Sequence, residues 1–452
     1  MIRDQPGRHR FYPRLATERD PAHPAQFGVW LKHHGLVGSI VLILALILSG
    51  CAAWPVSSPA DQYASEAKSL AAGSTFNVVS WEITAVSDLA IARVQEPEVD
   101  YTSPQAKELV LRYMQNAVSI GHLEAEIERL ASGQPQAGDP PGGLESLQLE
   151  ANTLRMEQAQ LRPRAERIIE AQVADTIRRE HAGWFGQAWP PPAFEFTEPP
   201  YYLVLSPRNV IELRLGLFLR PDLSLQAREN LEQTMERVLP NTSALVTGTG
   251  GFSSWPAMIV DRASLSWVLS AVSHEWVHSY LVGYPLGWHY GDNSEVAAIN
   301  ETVADLVGDE IGQKTLERFY PEIAAQESAS GQERAQASRP GVSNGFDFNT
   351  EMRLTRLRVD ELLKQGEITA AEQYMEERRL VFVEHGFYIR RLNQAYFAFH
   401  GSYRTSSAAP PADPIAPRLQ TLRRLSPSLA GFLARVEMVS SLDQLEQLVP
   451  SP

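Results

Sequence analysis

The stretch Ala263–Gly283, ASLSWVLSAVSHEWVHSYLVG, decides how the chain is read. Leu269, Val272, Val277 and Leu281 recur at a spacing that predicts a helix with a buried face. On such a helix residues four apart share one side, roughly 6 Å from each other, so His274 and His278 can grip one ion. Glu275 follows the first histidine, where its carboxylate reaches a water bound to that ion rather than the ion itself. That is the position of a general base, because the ion lowers the water's pKa and the carboxylate takes its proton.

A catalytic zinc site takes three protein ligands and leaves a fourth position for water. The third is expected 23 residues beyond His278, where the chain reads Ala298-Ile-Asn-Glu-Thr-Val-Ala-Asp-Leu-Val-Gly308. Glu301 would come from a second helix. Asp305, one turn later on the same face, would accept a hydrogen bond from the other ring nitrogen of a ligand histidine and fix its tautomer. Gly308, a further turn along, lets the two helices approach closely.

The constellation resembles the gluzincin metallopeptidases, the thermolysin-like group, whose pattern is HExxH followed by Asn-Glu-x-x-(small)-Asp. The match spans roughly residues 200–310 with the strands ahead of the motif. The resemblance implies His274, His278 and Glu301 as metal ligands, Glu275 as base and Asp305 as supporting carboxylate. It also implies an edge strand before the metal helix, within Gly250–Val260, whose backbone would bind an extended peptide. A proton donor or oxyanion stabiliser is needed as well. His289 and Tyr290, between the two metal helices, are one possibility, and Tyr396 and Tyr403 in the run Asn393–Tyr403 are another. The C-terminal arrangement faintly resembles a family of predicted bacterial aminopeptidases, with Gln394 where that family has a second Asn.

Outward from the motif, alternation and turn signals predict strands at 201–205, 210–219, 244–247 and 257–260, and a helix over 223–238. Upstream, Ser103-Pro104 opens a helix to Leu130. A breaker loop, SGQPQAGDPPGG, leads to a second helix with Leu147, Leu154, Leu161 and Ile168 spaced by sevens and a kink expected at Pro163. The fold class expected is α+β and predominantly helical: a small β-sheet packed on the zinc helix, a long N-terminal helical hairpin and a C-terminal helical domain. The expected divisions are 1–51 signal or anchor, 52–75 tether, 76–189 hairpin region, 190–322 zinc-binding core, 323–350 loop and 351–452 helical domain.

At the N-terminus, Gly35–Ala53 contains no charged residue and follows Lys32 and several arginines. A basic segment, an apolar core and small residues describe a secretory signal. Its end, Leu48-Ser-Gly-Cys51, resembles the lipobox of bacterial lipoproteins, which implies lipidation of Cys51. An uncleaved transmembrane anchor is the alternative, since 19 uncharged residues can just span a bilayer. Cys51 is the single cysteine, so no internal disulfide exists. A formal charge of −14 and thinly spread basic residues argue against a nucleic-acid partner. The expected function is zinc-dependent hydrolysis of a peptide or protein substrate outside the cytoplasm. The alternative is a non-enzymatic tethered interaction protein with a structural or vestigial zinc, its partner docking on the hairpin.

Overall fold

Two motif-bearing helices lie side by side in the computed structural model, which describes residues 62–95, 99–131, 143–337, 346–403, 406–410 and 413–449. In chain order the helices are α1 Gln62–Ala71, α2 Val78–Gln95, α3 Pro104–Ala131, α4 Gly143–Arg179, α5 Leu225–Val238, α6 Leu265–Leu281, α7 Pro285–Trp288 and α8 Ser294–Phe319. They continue with α9 Pro321–Ala337, α10 Phe348–Lys364, α11 Ile368–Glu384, α12 Gln394–His400, α13 Ile415–Leu425, α14 Leu429–Val436 and α15 Leu442–Leu448. The strands are β1 Phe194–Phe196, β2 Tyr201–Pro207, β3 Leu215–Leu219, β4 Thr242–Gly248, β5 Gly251–Phe252 and β6 Ala257–Ile259. The fold is α+β and predominantly helical.

Each metal helix starts at a side-chain cap. Ser264 Oγ accepts from Trp267 N at 3.2 Å, and Asn293 Oδ1 accepts from Glu295 N and Val296 N at 3.0 and 2.9 Å. Such caps satisfy amide groups that the helix itself leaves unpaired. Leu269, Val272, Val277 and Leu281 of α6 and Val303, Val307 and Ile311 of α8 are buried in one hydrophobic cluster. The two backbones meet at glycine. A Cβ on Gly308 would lie 2.8 Å from His274 N and 2.9 Å from its Cα, and one on Gly312 would lie 2.6 Å from Ser270 Cα.

Where one small sheet was expected there are two. An antiparallel sheet has the order β3-β2-β4, and a second sheet has the order β1-β6-β5, with β1 parallel to β6 and β5 antiparallel to it. β1 falls inside the proline-rich boundary, where Phe194 and Phe196 bury against α4. Its outer edge is covered by carboxylates of that helix: Phe194 N donates to Glu170 at 3.0 Å and Phe196 N to Glu166 at 2.7 Å. Burial pushes the Glu170 carboxyl up, against the pull of Arg93. The expected strand at 210–219 begins only at Leu215. The preceding residues turn around Ser206, whose Oγ donates to Val210 O and accepts from Glu212 N.

Helices α3 and α4 form the expected hairpin, tied by an Arg155–Glu124 ion pair at 2.8 Å, and α4 runs on through Pro163. Its base belongs to the main core. Tyr113 stacks on Phe196 at 4.8 Å and donates to Asp261 at 2.8 Å. The connecting residues 132–142 and the apolar run with Cys51 lie outside the described residues. No helix among the described residues is long and apolar enough to cross a membrane.

Three expectations need correction. The 52–75 tether contains α1, where Tyr63, Ala64, Ala67 and Ala71 form a helical stripe buried with β2, β3 and α5. Small residues here let the helix sit close to the sheet. The 323–350 loop is helical as far as Ala337 because Pro321 takes the first position and Ala, Glu and Gln favour helix. The 351–452 region divides between two cores, with α10–α12 in one and α13–α15 packed on α8 in the main one. Within it, α11 stops at Glu384 and α12 starts only at Gln394, and three short helices, α13–α15, follow.

The glycine contact gives a first prediction. Gly308→Val forces the two metal helices apart, at a cost of about 1–3 kcal/mol typical of overpacking. The variant should melt at lower temperature in a thermal scan. Unchanged melting would refute the close-contact role.

Candidate metal centre

His274 and His278 project from one face of α6, and Glu301 meets them from α8. The two Nε2 atoms are 3.0 Å apart, and Glu301 Oε2 lies 3.5 Å from one and 3.6 Å from the other. Ligand atoms about 2.0–2.1 Å from a tetrahedral zinc stand roughly 3.3 Å from one another. The observed triangle brackets that value. His274, His278 and Glu301 could therefore hold a metal ion.

The outer partners set the charge at the centre of the triangle. His278 Nδ1 lies 2.8 Å from Asn300 Oδ1, and the Asn300 amide is oriented by Nδ2 donating to Leu286 O at 3.1 Å. His274 Nδ1 lies 3.2 Å from Asp305 Oδ1. Both Nδ1 atoms thus face acceptors and carry the ring protons, which leaves both Nε2 lone pairs aimed at each other and at a carboxylate. Three electron-rich atoms at this distance repel unless something positive sits among them. Without a metal that something is a proton. Burial lowers the proton affinity of His274, but hydrogen bonds to Asp305 and Glu301 outweigh it and hold the imidazole well above its usual range. Burial raises Glu301, and the charges of His278 and His274 outweigh it, so the carboxylate stays ionised.

The cluster opens into a cavity of about 100 Å³. Glu275 lies in its wall next to the histidines. Burial raises its carboxyl, and the neighbouring histidines oppose that shift. Above it passes β5: a Cβ on Gly251 would meet Glu275 Oε1 at 2.4 Å, so glycine makes room for the carboxylate. β5 is the outer strand of the order β1-β6-β5 among the described residues, at the place where the resemblance implies an edge strand. Pro256 immediately precedes β6, the middle strand, and so stands outside the ladder it would interrupt.

The opposite wall is aromatic. Tyr202 packs on Phe218 at 4.8 Å, Phe218 on Phe252 at 4.8 Å, and Tyr202 on Phe399 at 5.7 Å. Gly216 makes space for the Tyr202 ring. α12 is pinned to this sheet by Asn393, which caps the helix through Tyr396 N at 2.9 Å and donates to Ala244 O at 2.9 Å.

The four candidate proton donors separate. Tyr403 lines the cavity, with its ring 6.4 Å from that of His274, and burial followed by the Glu301 charge keeps its phenol protonated. Tyr290 also lines it and donates to Glu301 Oε1 at 2.5 Å. His289 is turned outward onto Asp292 at 2.6 Å. Tyr396 lies outside the cavity lining, with its ring 4.2 Å from His400 in the core beneath α12. Burial alone lowers that histidine to about 4 and lifts Tyr396 to about 12. The expectations for Tyr396 and His289 therefore fail on geometry: helix α12 turns the first inward, and the α7 turn exposes the second. Sequence reasoning gave no role to Asn300 or to the wall residues Tyr202 and Phe218.

Fold and site together define a two-histidine, one-carboxylate cluster on paired helices, with a second carboxyl, that of Glu275, in the cavity wall. No family model, curated protein or solved structure matches the chain.

A bound proton must leave before a metal can enter. Since the His274 proton is held more tightly than in free imidazole, the affinity of the cluster for an added divalent ion should rise with pH through and beyond the ordinary imidazole range. The slope should approach about tenfold per pH unit for each proton displaced. Chelator competition across pH 5–9 measures this, and a flat profile would contradict the raised proton affinity of His274.

Proposed function

We propose that the protein is a membrane-tethered zinc peptidase acting outside the cytoplasm. The observation that carries the proposal is the ligand triangle with Glu275 alongside it, on the motif that resembles the gluzincins. A zinc ion at this position supplies a more acidic water and a polarised carbonyl. His274, His278 and Glu301 would hold it, with Asn300 and Asp305 keeping the imidazoles oriented. Glu275 would take the proton from the attacking water and pass it to the leaving amine. Tyr403 would donate to the oxygen that gains charge in the transition state. The outer position of β5 in its sheet suits an extended peptide, and the aromatic wall of Tyr202, Phe218 and Phe399 favours an apolar side chain beside the cut bond.

Glu275→Gln tests this reading. It should retain zinc in metal analysis while hydrolysis of a broad peptide library falls by about 10²–10⁴, the usual contribution of a general base. Wild-type protein that is full of zinc yet cleaves nothing would instead favour a tethered interaction protein with a structural metal. Against that alternative, the cluster gathers three ligands among the described residues, whereas structural zinc is usually closed by four.

The tether rests on the lipobox-like Leu48–Cys51 and the apolar run before it. Radioactive fatty acid should label the full chain and fail to label Cys51→Ser. Label that persists in the variant would point to an uncleaved anchor.

A further inference from the structure

We propose that Tyr290 is a positioning residue for the metal, acting through Glu301. The proposal rests on the metal-binding reading of the cluster. The two oxygens of Glu301 have different surroundings. Oε2 faces the histidine Nε2 atoms, while Oε1 accepts from the Tyr290 hydroxyl at 2.5 Å. A carboxylate free to rotate can present either oxygen or both to an ion. A donor fixed on one oxygen leaves the other as a single ligand.

Local structure holds the donor in place. The short α7 turn brings the chain back, with Tyr290 N donating to Gly287 O at 3.2 Å and Asp292 N to His289 O at 3.0 Å before Asn293 caps α8. The Tyr290 ring lies edge-on to His278, 6.2 Å between centroids at 88°, so it touches two ligands of the cluster. Glu301 is only 7% exposed, so Phe at position 290 would deprive Oε1 of this donor where water has little access.

Tyr290 and Tyr403 are thereby given different tasks, which a pair of variants separates. In the full chain, Tyr290→Phe should weaken zinc binding by about 10–100-fold, as removal of an outer partner does. Its kcat should climb as zinc is added, which marks the loss as one of metal occupancy. Tyr403→Phe should do the reverse, keeping zinc affinity and losing kcat. Zinc affinity is read by chelator competition and folding by thermal melting. Since Tyr290→Phe could unfold, X-ray absorption of the zinc-loaded wild type gives a second reading, and one single-oxygen carboxylate ligand is expected. Unchanged affinity in Tyr290→Phe with lost kcat, or a carboxylate bound through both oxygens, would overturn the proposal. Wild-type protein that binds no zinc would instead overturn the metal reading beneath it.

Discussion

Three lone pairs converging on one point set the terms for everything around them. Two imidazole nitrogens and a carboxylate oxygen lie 3.0–3.6 Å apart because α6 and α8 touch at Gly308 and Gly312. The imidazole hydrogens are committed elsewhere, to Asp305 and Asn300, so the cluster is an electrostatic hole that could hold a cation. The hydrophobic packing of the two helices compensates for that concentration of buried charge. Burying each leucine or valine in the shared core is worth about 1.5–3 kcal/mol, and residues of both helices contribute many of them.

The remaining elements serve the open side of the cluster. The β1-β6-β5 sheet has one edge closed by Glu166 and Glu170 of the hairpin, which leaves its other edge above Glu275. The second sheet and α12 supply the aromatic wall. The helical hairpin thus has a structural task, since its carboxylates and Tyr113 fix the small sheet against the metal helix.

The parts legible in sequence are those fixed by helical period. His274, Glu275 and His278 lie within five residues, and Glu301 with Asp305 within another five, so local geometry alone places each group. The joining of the two groups came from chemistry, the need for a third ligand. What sequence left hidden depends on contacts between distant segments. Tyr202 and Phe218 face the cleft because of strand register, and Tyr396 turns away because Asn393 ties α12 to β4. The α1 and α9 helices were hidden for a different reason. Their small and polar residues look like linker, yet Ala64, Ala67 and Ala71 form a stripe that only a nearby sheet makes meaningful.

The most direct test of the cluster is anomalous X-ray scattering at the zinc edge from crystals of the protein as purified. The expected result is one peak about 2.0–2.2 Å from His274 Nε2, His278 Nε2 and Glu301 Oε2. A well-ordered map with no peak there after zinc loading, or a peak that leaves Glu301 outside coordination range, would contradict the account.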